Sequence, residues 1–256
     1  MSEVTVKALV EGDRVPAATF RSRAAGEWRN RTTEEVFARR NVVLFALPGA
    51  FTPTCSGSQV PGYEAYAEAF YQLGIDEIVC VSVNDGFVMQ AWGDALGVDK
   101  VQLLADGNAE FTRGMGMLVD KAELGFGARS WRYAMLVRDG VIERMFDEPR
   151  VPGDPYGVSS PEAVLEALAP GRKPPDDVVL VTREGCGHCG RARAALAAAG
   201  KVFEEVQLGA GRRGLSNRGL KALSGRSTTP QVFINGVCIG GADELEARLA
   251  VAVRLT

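Results

Sequence analysis

Apolar positions along the chain fall into two kinds of stretch. Short unbroken runs at 42–47, 78–83, 133–137 and 141–146 read as buried strands, and Arg138-Asp139-Gly140 between the last two is a hairpin signal. Longer stretches at 57–73, 85–96 and 108–114 read as helices. Residues 161–168 predict another, with Ser160 as N-cap and Pro161 in its first turn. After a break the pattern resumes in miniature. It predicts strand 178–182, helix 187–199, strand 202–206, a helix within 214–223, a hairpin over 231–239 turning on Asn235-Gly236, and a closing helix over 242–253. Strands alternate with helices in both parts, so the fold class is α/β, with a mixed sheet flanked by helices in each.

The break itself is 170–176, which holds three prolines, a glycine and several charges. It reads as a proline-rich linker between a domain at 1–169 and a domain at 177–256. A length of 256 residues is long for one domain and comfortable for two.

Composition narrows the class. With 46% hydrophobic and 24% charged residues, the chain reads as soluble and globular. No apolar run approaches the roughly 18 residues that span a bilayer, and Met1-Ser-Glu-Val-Thr-Val-Lys7 has no apolar signal-peptide core. The expectation is a cytoplasmic protein that does not engage a membrane, whose five cysteines are free thiols rather than structural disulfides. The net charge of −3 is uneven: residues 177–256 hold eleven Lys and Arg against seven Asp and Glu, which is +4, and the remainder holds 18 against 25, which is −7. That is too weakly basic for nucleic acid. It fits an anionic small thiol, docking on the acidic part, or plain surface variation.

The chemistry lies in the cysteines. A reactive cysteine works as a thiolate, and an ordinary thiol titrates near ~8.5, so something must favour the anion. Cys55 follows Pro48-Gly-Ala-Phe-Thr52-Pro-Thr54, a stiff turn, and precedes a helix start near Ser56. Unpaired N–H groups at a helix start favour an anion. Thr52 can place a hydroxyl beside the sulfur, while Pro48 and Pro53 stiffen the loop. A core cysteine would instead sit among Val, Ile and Leu.

Pro48, Thr52 and Cys55 match the pattern Pro-x-x-x-Thr-x-x-Cys, and residues 1–168 thereby resemble the peroxiredoxins. The run from Pro48 to Glu64, with Pro61-Gly-Tyr63, resembles their peroxiredoxin-5-like branch. The resemblance implies a thioredoxin-like fold and attack on a hydroperoxide by Cys55. It also implies that Arg132, in Arg132-Tyr-Ala-Met-Leu-Val137, holds the thiolate and the peroxide oxygens. Arg129 is either a support for that arginine or a surface charge. Some members of this branch carry a resolving cysteine in the loop that is here Glu148 to Gly157; this loop has none. Cys80 lies in an apolar strand and reads as a packed core thiol. The sulfenic acid formed at Cys55 is therefore expected to condense with an external thiol.

Cys186-Gly-His-Cys189, at a strand-to-helix junction, is a Cys-x-x-Cys redox pair. The helix start lowers the pKa of the first thiol, and the second can resolve it. Zinc would need two further ligands. Only Cys238 and His188, the one histidine, are at hand, so no metal is expected. The order β-α-β-α-β-β-α, Thr228-Thr229-Pro230 before a strand, and Gly240-Gly241-Ala-Asp243 make 177–256 resemble the glutaredoxins, which are thioredoxin-like. That resemblance implies a glutathione site formed by Arg183, His188, Thr229, Pro230, Gly240, Gly241 and Asp243. Asp243 would accept the γ-glutamyl ammonium, and Arg183 would meet a carboxylate. Glutaredoxins usually carry Pro-Tyr or Pro-Phe between the cysteines; Gly-His is familiar from protein disulfide isomerases. Cys238 reads as a strand thiol.

The two resemblances together imply a peroxiredoxin–glutaredoxin hybrid, a peroxidase that reduces hydrogen peroxide and alkyl hydroperoxides with glutathione as reducing co-substrate. Its implied partners are a hydroperoxide, glutathione and, indirectly, glutathione reductase, and no bound cofactor is expected. Alternatives are a protein disulfide reductase or isomerase, and a redox sensor or holdase signalling through Cys55 oxidation. The linker reaches roughly 20 Å at ~3.1 Å per residue. That is short for folding back on the same subunit, so a homodimer or homotetramer is expected, with Cys186 serving Cys55 of another chain.

Overall fold

Two strands without an apolar run open the fold. β1 (Thr19–Ala24) and β2 (Glu27–Thr32) pair as an antiparallel hairpin. Its turn, Ala25-Gly26, has φ of 51° and 81°, the paired left-handed backbone of a two-residue hairpin turn. β2 is almost wholly exposed, so hydrophobic patterning does not reveal it. α1 (Thr33–Phe37) follows, started by a capping box between Thr32 and Glu35.

In this computed structural model, residues 7–209 and 215–253 are described, the last two by backbone alone. The chain divides into two units, Met1–Pro174 and Pro175–Thr256. The first continues through β3 (Asn41–Leu47), a π-helical turn (Cys55–Gln59), α2 (Val60–Tyr71), β4 (Glu77–Ser82), α3 (Gly86–Leu96), β5 (Val101–Ala105) and α4 (Glu110–Gly114). It ends with β6 (Leu118–Asp120), β7 (Ala128–Ser130), β8 (Tyr133–Arg138), β9 (Val141–Asp147) and α5 (Pro161–Leu168). Its main sheet has the order β5-β4-β3-β8-β9. β3 runs parallel to β4 and antiparallel to β8. A strand at the middle of such a sheet is covered on both faces, which explains its continuous apolar run. Val43, Phe45 and Leu47 join Tyr63, Phe70 and Trp92 in one core, and Val42, Leu44 and Ala46 join Phe20, Phe37 and Phe111 in the other.

The second unit runs β10 (Val178–Thr182), α6 (Gly187–Ala198), β11 (Glu204–Gln207), α7 (Asn217–Ser224), β12 (Gln231–Ile234), β13 (Val237–Gly240) and α8 (Ala242–Val253). Its sheet order is β11-β10-β12-β13. Its core joins Leu180, Val232 and Ile234 to Ala192 and Leu196 of α6 and Leu245 of α8. Both units have the mixed sheet and flanking helices that alternation predicts.

Several details differ from the sequence pattern. The helix expected at 57–73 begins as the π-helical turn, two residues earlier, and its α-helical part ends at Tyr71. The helix expected at 108–114 begins at Glu110, because Ala109 holds a left-handed φ of 55°. The strand expected at 202–206 is β11, shifted toward the next residues. α7 starts at Asn217 on a Ser216 cap, and residue 214 lies outside the described residues. None of the described helices is long and apolar enough to cross a membrane.

Candidate active site

β3 ends at Leu47 and delivers the chain into a tightly held loop. Ala50 N–H donates to Asn84 Oδ1 at 3.0 Å, and Ser82 Oγ at the end of β4 donates to the same oxygen at 2.7 Å. Phe51 holds a left-handed φ of 62°, which an aromatic residue adopts only when its surroundings impose it. Thr52 Oγ1 donates to Gly49 O, and Ser56 N–H donates to Thr52 O, both at 2.9 Å. Trp92 Nε1–H on α3 donates to Ser56 Oγ at 2.9 Å and fastens the turn from the other side. Cys55, the first residue of the π-helical turn, is fully buried.

Arg132 reaches this cysteine because of strand pairing. It immediately precedes β8, whose first residue Tyr133 pairs with Ala46 near the end of β3. Its Nη1 lies 3.6 Å from Cys55 Sγ and also donates to Gln59 Oε1. Its Nη2 donates to Asp154 Oδ2 at 2.5 Å. The Tyr156 ring lies 5.6 Å from the guanidinium carbon. The arginine is 1% exposed. Burial alone would pull its guanidinium down, but the Asp154 hydrogen bond and the charges of Cys55 and Asp154 more than offset that and hold it above its ordinary value. Burial pushes the Cys80 thiol well up; the Cys55 charge adds to this and Arg132 opposes it, so Cys80 is a protonated core thiol.

The structure thus brings Pro48, Thr52, Cys55 and Arg132 to one end of the first sheet. It places the Thr52 hydroxyl on Gly49 O rather than on the sulfur. Arg129 Nη1 donates to Val83 O at 2.7 Å, so it supports the loop after β4. Gln59, Asn84, Asp154 and Tyr156 complete the site and were not anticipated. Gln59, one helical turn beyond Cys55, had a spacing signal; the loop residues Asp154 and Tyr156 had none.

The second unit repeats the topology. β10 ends at Thr182, Cys186 caps α6, and Thr229-Pro230 precedes β12, the antiparallel neighbour of β10. Cys186 is half-buried and Cys189 is buried; the two form a disulfide with Cα atoms 5.3 Å apart. Cys186 Sγ accepts from Cys189 N–H at 3.2 Å and from Thr229 Oγ1 at 3.6 Å. The Thr229–Pro230 peptide is cis. Gly240 has φ of 118°, and a Cβ there would lie 2.7 Å from Glu244 Cδ. Asp243 is exposed and takes Arg191 Nη2 at 2.8 Å; Arg191 Nη1 lies 3.4 Å from His188 Nδ1. Arg183 Nη2 donates to Asn217 Oδ1 at 2.5 Å. Asp243 therefore faces a cation already, which sequence reasoning did not foresee. Among the described residues, no three His, Cys, Asp or Glu side chains cluster as a metal site.

Comparison with known proteins agrees with this arrangement. A Redoxin family profile matches residues 10–165, and a Glutaredoxin profile matches 178–239. The hybrid peroxiredoxin hyPrx5 of Haemophilus influenzae is 48% identical over 94% of this chain and 99% of its own length. Peroxiredoxin sll1621 of Synechocystis is 51% identical over 64% of this chain and 95% of its own. Among solved structures, reduced Prx3 of Vibrio vulnificus in complex with H2O2 superposes with a TM-score of 0.59 at 41% identity, covering 62% of this chain and 99% of that one.

Proposed function

The chain belongs to the redoxin family, as a peroxiredoxin with a glutaredoxin domain fused behind it, a peroxidase oxidoreductase with glutaredoxin-linked recycling, and from that premise we propose that glutathione is its reductant. The observation that carries the reading is the contact between Arg132 Nη1 and Cys55 Sγ, two residues with almost no exposed surface. The Arg132 charge stands against the sulfur, and the burial of both residues strengthens its field.

The Cys55 thiolate attacks one oxygen of the hydroperoxide. An S–O bond forms, the O–O bond breaks, and the leaving alkoxide or hydroxide takes a proton to become an alcohol or water. Arg132 meets the charge that moves from sulfur to the leaving oxygen. Among the described residues, Arg132 Nε and Gln59 Nε2 are buried without a hydrogen-bond partner, so both are donors a peroxide oxygen can use. Glutathione then condenses with the Cys55 sulfenic acid, releasing water and leaving a mixed disulfide. Cys55 has no exposed surface in this state. A thiol as large as glutathione therefore reaches its oxidised sulfur only after the turn at 55–59 opens. Once the Cys186–Cys189 disulfide has been reduced by glutathione, the Cys186 thiol takes the glutathionyl group from Cys55, and a further glutathione releases Cys186 as glutathione disulfide. The sum is one hydroperoxide and two glutathiones giving an alcohol, water and one glutathione disulfide.

This cycle needs no metal and no bound cofactor. It suits the cytoplasm, where glutathione is kept reduced, and a homodimer or homotetramer in which subunits serve one another. The test is peroxide consumption with glutathione, glutathione reductase and NADPH. Fast multiple turnover is expected. A single stoichiometric oxidation would favour a redox sensor instead.

A further inference from the structure

We infer that Asp154 is a positioning residue that sets how much of the Arg132 charge acts on Cys55. The inference rests on the reading of Cys55 as the peroxide-reducing thiol. A guanidinium that is 1% exposed needs its charge matched nearby. Its two ends face different groups. Nη1 faces Cys55 Sγ and the neutral amide of Gln59, while Nη2 faces the Asp154 carboxylate. Among the described residues, Asp154 is the one carboxylate in an ion pair with Arg132.

The loop that carries Asp154 is held from behind. Buried Glu148 accepts from Gly157 N–H at 2.7 Å, Ser159 N–H at 2.8 Å and Ser159 Oγ at 2.7 Å. The carboxylate is thus presented by an ordered loop, although its side chain keeps 42% exposure. When Cys55 is a thiolate, one cation faces two anions. When Cys55 is a thiol or a sulfenic acid, the cation faces Asp154 alone and is balanced. Asp154 therefore opposes the thiolate, yet keeps Arg132 matched while the sulfur is neutral.

Among the described residues, no other nearby carboxylate forms an ion pair with Arg132. Cys80 on β4, Tyr63 on α2 and Tyr156 on the loop are all pushed up by burial and carry no charge near neutral pH. Glu148 and Glu162 act on Tyr63 and Tyr156, and Tyr66 acts on Tyr156. Neither Glu148 nor Glu162 is in an ion pair with Arg132 among the described residues.

The experiment compares the pH dependence of single-turnover peroxide reduction by the full-length wild type, Asp154→Asn and Asp154→Glu. Asparagine keeps an acceptor for Nη2 and removes the charge. Its low-pH limb should move to lower pH, making the variant up to roughly tenfold faster on that limb. Asp154→Glu should track the wild type. The pH dependence of Cys55 alkylation, followed by mass spectrometry, reads the same midpoint without catalysis. A midpoint that stays or rises in Asp154→Asn overturns the inference, as does a uniform loss of rate at every pH. A wild type that does not reduce peroxide through Cys55 would sink the reading of the site itself, and Cys55→Ser in parallel tells the two failures apart.

Discussion

Arg132 Nη1 and Cys55 Sγ stand 3.6 Å apart although 77 positions separate them in the chain. The pairing of β3 with β8 closes that distance, since Ala46 opposite Tyr133 sets Arg132 beside the loop that leaves β3. If this contact supports peroxide reduction, geometry should matter as well as charge. Arg132→Lys keeps a cation but loses the planar fork that meets Cys55, Gln59 and Asp154 together. Its rate of peroxide reduction should fall roughly 10²- to 10³-fold in stopped-flow measurements. A lysine variant within a few-fold of wild type would show that charge alone suffices.

How much of this was legible in the sequence depends on how local each signal is. Buried central strands announce themselves, because β3 and β4 are apolar at nearly every position. The hairpin β1-β2 does not, since an exposed strand has no apolar face to display. The cysteines and the turn around Cys55 were readable because their chemistry is written in adjacent residues. Asp154 was not: no adjacent residue in its loop marks it as a partner of the arginine. Its importance comes from a contact with a residue 22 positions away. Likewise, Asp243 suggested an open acceptor, and only the packing of α6 on α8 reveals Arg191 beside it.

The second cysteine pair should divide its labour. Deglutathionylation needs only the thiol that attacks, and Cys186 is half-buried at a helix start while Cys189 is fully covered. Cys186→Ser should therefore stop the glutathione-supported cycle, and Cys189→Ser should retain much of it. Equal loss in the coupled assay would indicate a dithiol route, and would give weight to the disulfide-isomerase-like Gly-His turn.

Cys80 should be silent in catalysis. Burial holds its thiol protonated in the middle of the sheet. Cys80→Ala should keep turnover within a few-fold and lose about 1–2 kcal/mol of stability from the small cavity it leaves, as read from urea unfolding. A turnover loss as deep as that of Cys55→Ser would assign Cys80 to the redox cycle.

Subunit cooperation is tested by complementation. Neither Cys55→Ser nor Cys186→Ser should sustain turnover alone, while their mixture should regain activity once subunits exchange. The regained activity should weaken as salt rises, if the +4 and −7 parts of the chain assist docking. Subunit exchange without recovery would mean that each chain serves its own cysteine.

On the proposed route, electrons reach peroxide from glutathione through Cys186 and Cys55. The most direct measurement is intact-protein mass spectrometry of Cys186→Ser after a stoichiometric pulse of peroxide and an excess of glutathione. One glutathionyl adduct should accumulate on Cys55 and persist, while in the wild type it is cleared. A Cys55 that passes to sulfinic acid without an adduct, or an adduct cleared equally fast in both proteins, would contradict it.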